Sequence, residues 1–348
     1  MNASEFAREC FLSVTLYDPD VAPCEVDLSD NTNLWGTPPA AQRAILTAGP
    51  EIVARYPAPY TSDLKAKISA YVQVEASMVV TGCGSDDVLD SAIRAFGSPG
   101  DRVAIPEPSF GMIPVFARIN GLEPVFISLD RDGSLNPSAF QAADARITYL
   151  CSPNNPTGVS LRQTDIDEII SNARGPVIVD QAYAEFSERS LTELAKKHDN
   201  VLITRTMSKA FGLAGLRIGY GVGSPGLVRE VEKSRGPYKT NALAARAAIA
   251  ALDEDLPWVA QHVSEIKTNR ARFITGLEKL GLDPYPTDAN FVLVPVSDAK
   301  EVGRLMRTRG VAVRVFDDLA GAGGAFRITI GPWEMMDRCL ISLAECMG

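Results

Sequence analysis

Histidine and cysteine are both scarce in this chain of 348 residues. It has two histidines, His198 and His262, and six cysteines that form neither a CxxC pair nor a regular framework. Two histidines in charged surroundings argue against a zinc site and against a Ser-His-Asp triad. Sparse cysteine in a chain of this size is typical of a reducing compartment, so we expect a cytoplasmic protein.

Long basic runs and long apolar runs are missing as well. The 34 Lys and Arg residues and 43 Asp and Glu residues give a net charge of −9, which disfavours nucleic acid and anionic membranes as partners. No apolar stretch approaches the roughly 20 residues that cross a bilayer, and the N-terminus lacks the order of a signal peptide. Any phosphate must therefore be bound locally, by single arginines and backbone N–H groups.

Seven short β-rich runs alternate with stretches compatible with helices through the middle of the chain. This alternation predicts a mostly parallel sheet covered by helices on both faces. The last two runs lack a helix between them, so we expect the final strand to be antiparallel. The runs are Met78–Thr81, Arg102–Ile105, Pro124–Ser128, Ile147–Cys151, Val177–Asp180, Val201–Arg205 and Ile218–Val222.

The chain exceeds the size at which one core usually stops growing, so two domains are expected. After Ser224 long helices and a few strand-like runs replace the regular alternation. We predict an N-terminal arm over residues 1–39, a large α/β domain over 40–240 and a smaller α+β domain over 241–348. The arm is expected to complete the small domain.

One lysine, Lys209, follows the sixth β-rich run in a stretch without other lysines, with Thr206 and Ser208 before it and Arg217 after it. Lysines are usually solvated, but this one is flanked by small apolar residues rather than a charged face. Lost solvation would lower its pKa and favour the neutral amine. We hypothesise that Lys209 forms a Schiff base with a carbonyl cofactor whose phosphate Thr206, Ser208 and Arg217 hold. Close backbone approaches are expected at Gly212, Gly215 and Gly219.

A glycine turn follows the first β-rich run and leads into a helix. Gly82 and Gly84 permit a tight turn, and the free N–H groups of the next helix would suit a phosphate. Asp86 and Asp87 are also good partners for the positive end of that helix. An ordinary connection between strand and helix is the alternative.

Two further motifs come at strand ends. Residues 152–158 (Ser-Pro-Asn-Asn-Pro-Thr-Gly) present an asparagine amide as a donor, although an ordinary turn without a binding role could have the same sequence. Asp180 ends an apolar strand, where a carboxylate needs a partner. A protonated pyridine nitrogen would be such a partner, and Tyr183 could bond the ring's phenolic oxygen. The alternative is a capping aspartate and a packed tyrosine.

Arg314 and Arg327 each interrupt an apolar strand near the C-terminus. Each is either a member of a structural ion pair or a bidentate clamp for a carboxylate. With no metal pattern in an anionic chain, a substrate carboxylate is the preferred partner of Arg327.

Taken together, these motifs resemble the fold type I (class I/II) aminotransferases that depend on pyridoxal 5′-phosphate, and in particular the histidinol-phosphate aminotransferase branch. The resemblance rests on residues 152–158, on Asp180-x-x-Tyr183 and on residues 208–217 (Ser-Lys-Ala-Phe-Gly-Leu-Ala-Gly-Leu-Arg) in that order. It implies an aspartate-aminotransferase-like fold and a homodimer.

The resemblance also implies a role for each matching residue. Lys209 would bind the cofactor and then shuttle a proton, Asp180 would pair with the ring nitrogen, and Asn155 and Tyr183 would bond the ring oxygen. The expected phosphate ligands are Gly84, Ser85, Asp86, Thr206, Ser208 and Arg217. Phe110 would stack on the ring, and Tyr56 would reach the partner subunit's site. Substrate contacts are expected from Arg327, Arg314, Tyr17, Asn33 and Trp333.

Two departures from the branch lie in regions expected to face the substrate. Its usual Asn-Glu-Asn-Pro is Asn-Thr-Asn-Leu at residues 31–34, and Trp333 replaces an arginine. We therefore predict an aminotransferase with a donor like histidinol phosphate and 2-oxoglutarate as acceptor. Three alternatives stay open: a transaminase for an aromatic or specialised amino acid, a decarboxylase or lyase resembling threonine-phosphate decarboxylase, and a regulator that binds the cofactor.

Overall fold

The computed structural model describes residues 6–12, 14–16 and 23–347. The strands in these ranges are β1 (Val26–Leu28), β2 (Val79–Cys83), β3 (Arg102–Glu107), β4 (Glu123–Ser128), β5 (Ile147–Cys151), β6 (Val177–Asp180), β7 (Val201–Thr206), β8 (Ile218–Gly223), β9 (Phe291–Pro295), β10 (Val311–Leu319) and β11 (Gly323–Thr329). The α-helices are α1 (Pro39–Leu46), α2 (Pro50–Ala54), α3 (Ser62–Val72), α4 (Gly84–Phe96), α5 (Met112–Ile119), α6 (Pro137–Ala142), α7 (Gln163–Asn172), α8 (Thr192–Lys197), α9 (Pro225–Arg235), α10 (Ala242–Glu254), α11 (Leu256–Lys279), α12 (Ala299–Thr308) and α13 (Trp333–Met347).

Seven strands form the larger sheet, in the order β2-β8-β7-β6-β5-β3-β4. Strand β8 is antiparallel to both of its neighbours, and the other strands share one direction. The predicted sheet with one antiparallel strand is thereby confirmed. Because six strands run the same way, their carboxyl ends meet at one edge, where ligands bind in open α/β sheets.

Helices cover both faces of this sheet. On one face, α4, α5 and α9 contribute Leu89, Ile113 and Val228 to an apolar cluster. On the other face, α3 and α7 pack Ile68 and Ile169 into a second cluster. Every residue of β5, β6 and β7 is buried, as a sheet covered on both faces requires. This packing fixes the strand ends that carry the polar motifs.

A second sheet of four strands has the order β1-β10-β11-β9. Strand β1, from the N-terminal arm, lies parallel to β10, and β10, β11 and β9 are antiparallel. The arm thus adds a strand to the sheet formed by the C-terminal part of the chain. The domain boundaries after residues 39 and 240 stay predictions.

Two further observations concern membranes and metal ions. Within the described ranges, no helix is long and apolar enough to cross a membrane. The same residues contain no group of three or more His, Cys, Asp or Glu side chains placed to hold a metal ion.

Candidate active site

A cavity of about 310 Å³ opens at the carboxyl edge of the large sheet, between that edge and the small sheet. Strands β6 and β7 and helix α4 reach it from one side, and β11 and the N-terminal arm from the other. Eleven residues singled out from the sequence line this cavity: Ser85, Asp86, Phe110, Asn155, Asp180, Tyr183, Thr206, Ser208, Lys209, Arg217 and Arg327.

Lys209 lies three residues after the end of β7 and is half-buried. Its ammonium donates a hydrogen bond to the Asp30 carbonyl oxygen at 3.0 Å. Burial, and then the nearby charge of Arg327, lower the pKa of Lys209 to about 8. Because the neutral amine is the nucleophilic form, this environment prepares Lys209 to attack a carbonyl.

Asp180 ends β6 and is almost fully buried. Its Oδ2 accepts from the Tyr149 hydroxyl at 3.0 Å, and its Oδ1 accepts from the Ala182 N–H at 3.1 Å and the Thr204 hydroxyl at 3.2 Å. Burial raises the pKa of Asp180 to about 6, and the hydrogen bond from Tyr149 is the largest influence in the opposite direction. A buried carboxylate whose three donors are neutral still suits a cationic partner.

The predicted phosphate cradle lies where the first turn of α4 meets the segment after β7. The Arg217 guanidinium donates to the Asp86 carboxylate at 3.2 Å, and the Ser208 N–H donates to Thr206 Oγ1 at 3.1 Å. The Thr206 hydroxyl bonds Ser208 Oγ at 2.9 Å. Hydroxyls, a guanidinium and the N-terminus of a 13-residue helix therefore share one corner of the cavity, which is the donor set that a phosphate requires.

Two glycines bring this corner together. A Cβ at Gly219 would lie 2.0 Å from the Ser85 nitrogen, and one at Gly84, whose φ is +79°, would lie 2.6 Å from Arg217 Nη2. The close approach predicted at Gly212 is also present, because a Cβ there would lie 2.2 Å from the Gly36 oxygen. The expectation for Gly215 is wrong, since a Cβ there would meet no atom within 4 Å.

Asn155, Tyr183 and Arg327 form the wall that faces the cradle. Arg327 donates to Asn155 Oδ1 at 2.6 Å and to the Ser29 carbonyl oxygen at 2.8 Å. The Tyr183 hydroxyl accepts from Asn31 Nδ2 at 3.0 Å, and burial raises the pKa of Tyr183. Arg327 is thus already oriented by two acceptors at the cavity.

Several predicted residues lie elsewhere. Tyr56 is 84% exposed and stacks on Tyr238 with ring centroids 5.0 Å apart. Asn33 directs its amide to the Ala210 carbonyl oxygen at 3.0 Å. Trp333 stacks under the Arg272 guanidinium at 3.3 Å. A contact of Asn33 or Trp333 with substrate stays a prediction that this geometry does not favour.

Arg314 lines a second cavity of about 300 Å³ rather than the first, although both cavities share Asp30. In the register of β10 and β11 it is directly opposite Arg327, so the two side chains belong to one face of the small sheet. Tyr17 lies outside the described residues.

Several residues at the cavity were not predicted individually. Asn31 and Thr32 line it, and they belong to the segment 31–34 that was expected to face the substrate. Cys151 and Ala182 also line the cavity, and the Tyr149 hydroxyl donates to Asp180. The positive φ of Asn31, +56°, is a conformation that asparagine tolerates, but the residue resembles any loop asparagine in the sequence. Tyr149 looks like a core residue of an apolar strand, and only the pairing of β5 with β6 brings its hydroxyl to a carboxylate.

Comparison with known proteins places this geometry in context. The family model for aminotransferase class I and II matches residues 24–343. The histidinol-phosphate aminotransferase of Methanosarcina mazei is 38% identical over 320 residues, which cover 90% of this chain and 86% of that protein.

Two solved structures share the fold. The histidinol-phosphate aminotransferase from Sinorhizobium meliloti in complex with pyridoxal-5′-phosphate aligns with a TM-score of 0.90 and 24% identity, covering 98% of this chain and 97% of that one. The aspartate aminotransferase from Thermus thermophilus with maleate aligns with a TM-score of 0.79 and 20% identity over 93% and 92% of the two chains. The predicted aspartate-aminotransferase-like architecture is confirmed.

Proposed function

The chain belongs to the aminotransferase class I and II family, and we propose that its donor is histidinol phosphate or a closely similar amine, with 2-oxoglutarate as acceptor. It is a transaminase that depends on pyridoxal 5′-phosphate. The donor proposal draws on the names of its relatives and on the cations around the two adjoining cavities.

The residues of the first cavity fit this cofactor. The buried Asp180 carboxylate would meet the ring nitrogen, Phe110 would face the ring, and Asn155 and Tyr183 would meet the ring oxygen. The cradle at the start of α4 would hold the phosphate. When bound, the cofactor supplies an electrophilic carbonyl and an electron sink.

The side chains of the chain then have distinct tasks. As a neutral amine, Lys209 would bind the cofactor's carbonyl, and it would also move a proton at the substrate's α-carbon. Asp180 would hold the ring nitrogen in its protonated form, and Arg327 would receive the substrate's anionic group through its guanidinium. Because Lys209 and Arg327 line one cavity, a bound anion at Arg327 would place the neighbouring amine or oxo carbon near Lys209.

The observation that carries the donor proposal is the cationic cavity beside the active site. It is lined by Lys300, Arg304, Arg307 and Arg314 and by two carboxylates, Asp317 and the Asp30 that it shares with the first cavity. Lys300 lies 3.8 Å from Asp317, and Arg304 pairs with Glu301. In a chain with a net charge of −9, a lining with four cations against two carboxylates still favours anionic ligands. A phosphate ester and a dicarboxylate acceptor both offer such an anion.

Amino donors assayed one by one against 2-oxoglutarate test this proposal. We expect glutamate to form from histidinol phosphate with a kcat/KM at least about tenfold above that for aromatic amino acids, because the phosphate adds charged hydrogen bonds. Equal or better use of an uncharged aromatic donor would overturn the donor. Release of carbon dioxide without glutamate would instead indicate a decarboxylase.

The proposed assembly is a homodimer in which Tyr56 reaches the partner subunit's site. The proposal is supported by the exposure of Tyr56 and by its stacking on Tyr238, away from the cavity of its own chain. Light scattering should give twice the chain mass of 37.4 kDa. A monomeric mass with full activity would contradict it.

The predicted domains and location also remain proposals. The two separate sheets support a division into a large domain over 40–240 and a small domain over 241–348 that the arm completes. All six cysteines are free, as is usual in a reducing compartment, and this supports a cytoplasmic location.

A further inference from the structure

Tyr149 is a buried residue without a place in the function proposed so far. It lies on β5 with no exposed surface, and its hydroxyl donates to Asp180 Oδ2 at 3.0 Å. A phenylalanine would fill the same apolar space, so packing alone gives no reason for the hydroxyl. The hydroxyl is therefore the feature that needs an explanation.

The hydrogen bonds of Asp180 show how many acceptor positions on its carboxylate are left for a ligand. A carboxylate has about four acceptor positions, two on each oxygen. Oδ1 accepts from the Ala182 N–H and the Thr204 hydroxyl, while Oδ2 accepts from Tyr149. One position therefore remains, on Oδ2, and Asp180 lines the cavity. A protonated ring nitrogen has a single N–H to donate.

We propose that Tyr149 is a positioning residue of the cofactor site, whose hydroxyl keeps Asp180 ionised and leaves one acceptor position on Oδ2 for the ring nitrogen. This inference rests on the proposed pairing of Asp180 with that nitrogen. Tyr149 and the ring nitrogen then share one oxygen, so the first bond orients the carboxylate for the second. Removal of the hydroxyl leaves a buried carboxylate with fewer donors, which favours its neutral form.

The surroundings determine the direction of the pH effect. Burial raises the pKa of Asp180 to about 6 and Tyr149 opposes that rise, so loss of the hydroxyl raises the pKa further. Asp180 is ionised only above its pKa. As the pH falls, cofactor binding that needs the carboxylate should therefore begin to weaken at a higher pH in the variant than in the wild type. The other titratable or charged side chains at the cavity around Asp180 are Asp30, Asp86, Cys151, Tyr183, Lys209, Arg217 and Arg327.

The test compares Tyr149→Phe with Tyr220→Phe, a second buried tyrosine of the same sheet on β8 that is not among the donors to Asp180. Apoprotein of the full-length chain is titrated with pyridoxal 5′-phosphate from pH 5.5 to 8.5. A second titration uses an analogue with carbon in place of the ring nitrogen, which keeps the aldehyde and the phosphate. Binding is read from absorbance or quenched fluorescence, without substrate.

We expect Tyr149→Phe to weaken cofactor binding about tenfold at pH 7, since a hydrogen bond to a charged group is lost. The acid limb of its binding curve, where cofactor affinity falls with decreasing pH, should move to higher pH. Its affinity for the analogue should stay within about twofold of the wild type. Tyr220→Phe should leave both curves in place. Equal loss for cofactor and analogue, or an unmoved acid limb, would overturn the role of Tyr149.

Thr204→Val removes the other side-chain donor to Asp180 and keeps the test decisive if Tyr149→Phe does not fold. It should move the acid limb in the same direction, and an unmoved limb would count against the inference. Wild-type protein that binds cofactor and analogue equally would refute the pairing of Asp180 with the ring nitrogen. Wild-type discrimination that Tyr149→Phe fully retains would refute only the inference about Tyr149.

Discussion

The two walls of the active-site cavity are built from different parts of the chain. The strand-end wall consists of Ser85, Asp180, Thr206 and Lys209, which lie at or just after the ends of strands β2, β6 and β7 of the large sheet. The arm wall, Asp30–Thr32 and Arg327, joins the two ends of the chain.

Hydrogen bonds show how far apart in sequence the partners of each wall lie. In the strand-end wall the Ser208 N–H bonds Thr206 Oγ1, two residues away. In the arm wall the Asn31 N–H bonds Thr329 Oγ1, 298 residues away. The strand-end wall also has a long-range contact, between Arg217 and Asp86, which are 131 residues apart. Its polar residues nevertheless each come at or just after the end of a strand, whereas the arm wall exists only once the two ends of the chain have met.

Lys209→Ala should have the largest effect of the variants considered. The strand-end wall would lose its nucleophile and proton carrier, so glutamate formation should fall on the order of 10⁴-fold or more. The cradle is intact, so retention of the cofactor's phosphate, measured by equilibrium dialysis, should persist. Lys197→Ala, at the exposed end of α8, is the matched control and should keep normal turnover. Normal turnover by Lys209→Ala would remove Lys209 from the mechanism.

Asp180→Asn should have the next largest effect, a loss of about 10³-fold in kcat, because a neutral amide no longer stabilises the charged ring nitrogen. The fold should survive, since the amide can still accept from Ala182 and Thr204. Thermal unfolding of the apoprotein would check stability separately from kcat. A variant with unchanged kcat would show that the charge of Asp180 has no role in the reaction.

Arg314→Met tests the cavity next to the arm wall, and it should lower kcat/KM only for anionic substrates. We expect kcat/KM for a phosphorylated donor to fall about tenfold, with cofactor affinity unchanged, because a partly exposed cation is lost. Arg309→Met is a suitable control, since Arg309 pairs with Glu345 on α13. An equal loss for uncharged donors would show that Arg314 does not act by recognising an anionic group.

The smallest effect should be the pH dependence of cofactor capture, the reaction of Lys209 in the strand-end wall with the cofactor. Its rate should change gradually with pH. Lys209 is neutral above its pKa of about 8, which burial and the charge of Arg327 lower. The second-order rate of capture by apoprotein should therefore rise as pH increases towards 8 and then level off, whereas a rate still rising steeply above pH 9 would indicate a normal, solvated lysine. Stopped-flow absorbance gives this rate.

The same division explains how much could be predicted from the sequence. Strand-end residues such as Asp180 and Lys209 follow apolar runs directly, so the order of the strands predicts that they meet. Asn31 could not be found this way, because its bonds to Tyr183 and Thr329 depend on the docking of the arm on the small sheet. Trp333 was expected at the substrate but stacks on Arg272 of α11, a contact between two helices that no local pattern encodes.

Strand register explains why the contact between Tyr149 and Asp180 could not be predicted from the sequence. The parallel pairing of β5 and β6 sets Cys151 opposite Asp180 and brings the hydroxyl of Tyr149 to the carboxylate. In the sequence alone, Tyr149 is indistinguishable from a core aromatic. Residues at strand ends are thus predictable as members of a site, but the residues that support them are not.

The role of Lys209 is tested most directly by locating the covalent attachment of the cofactor. Purified protein is reduced with borohydride, digested and analysed by mass spectrometry. We expect visible absorbance to be lost and the reduced cofactor to be found on the peptide carrying Lys209. Attachment to another lysine, or a protein that stays colourless after incubation with pyridoxal 5′-phosphate, would contradict it.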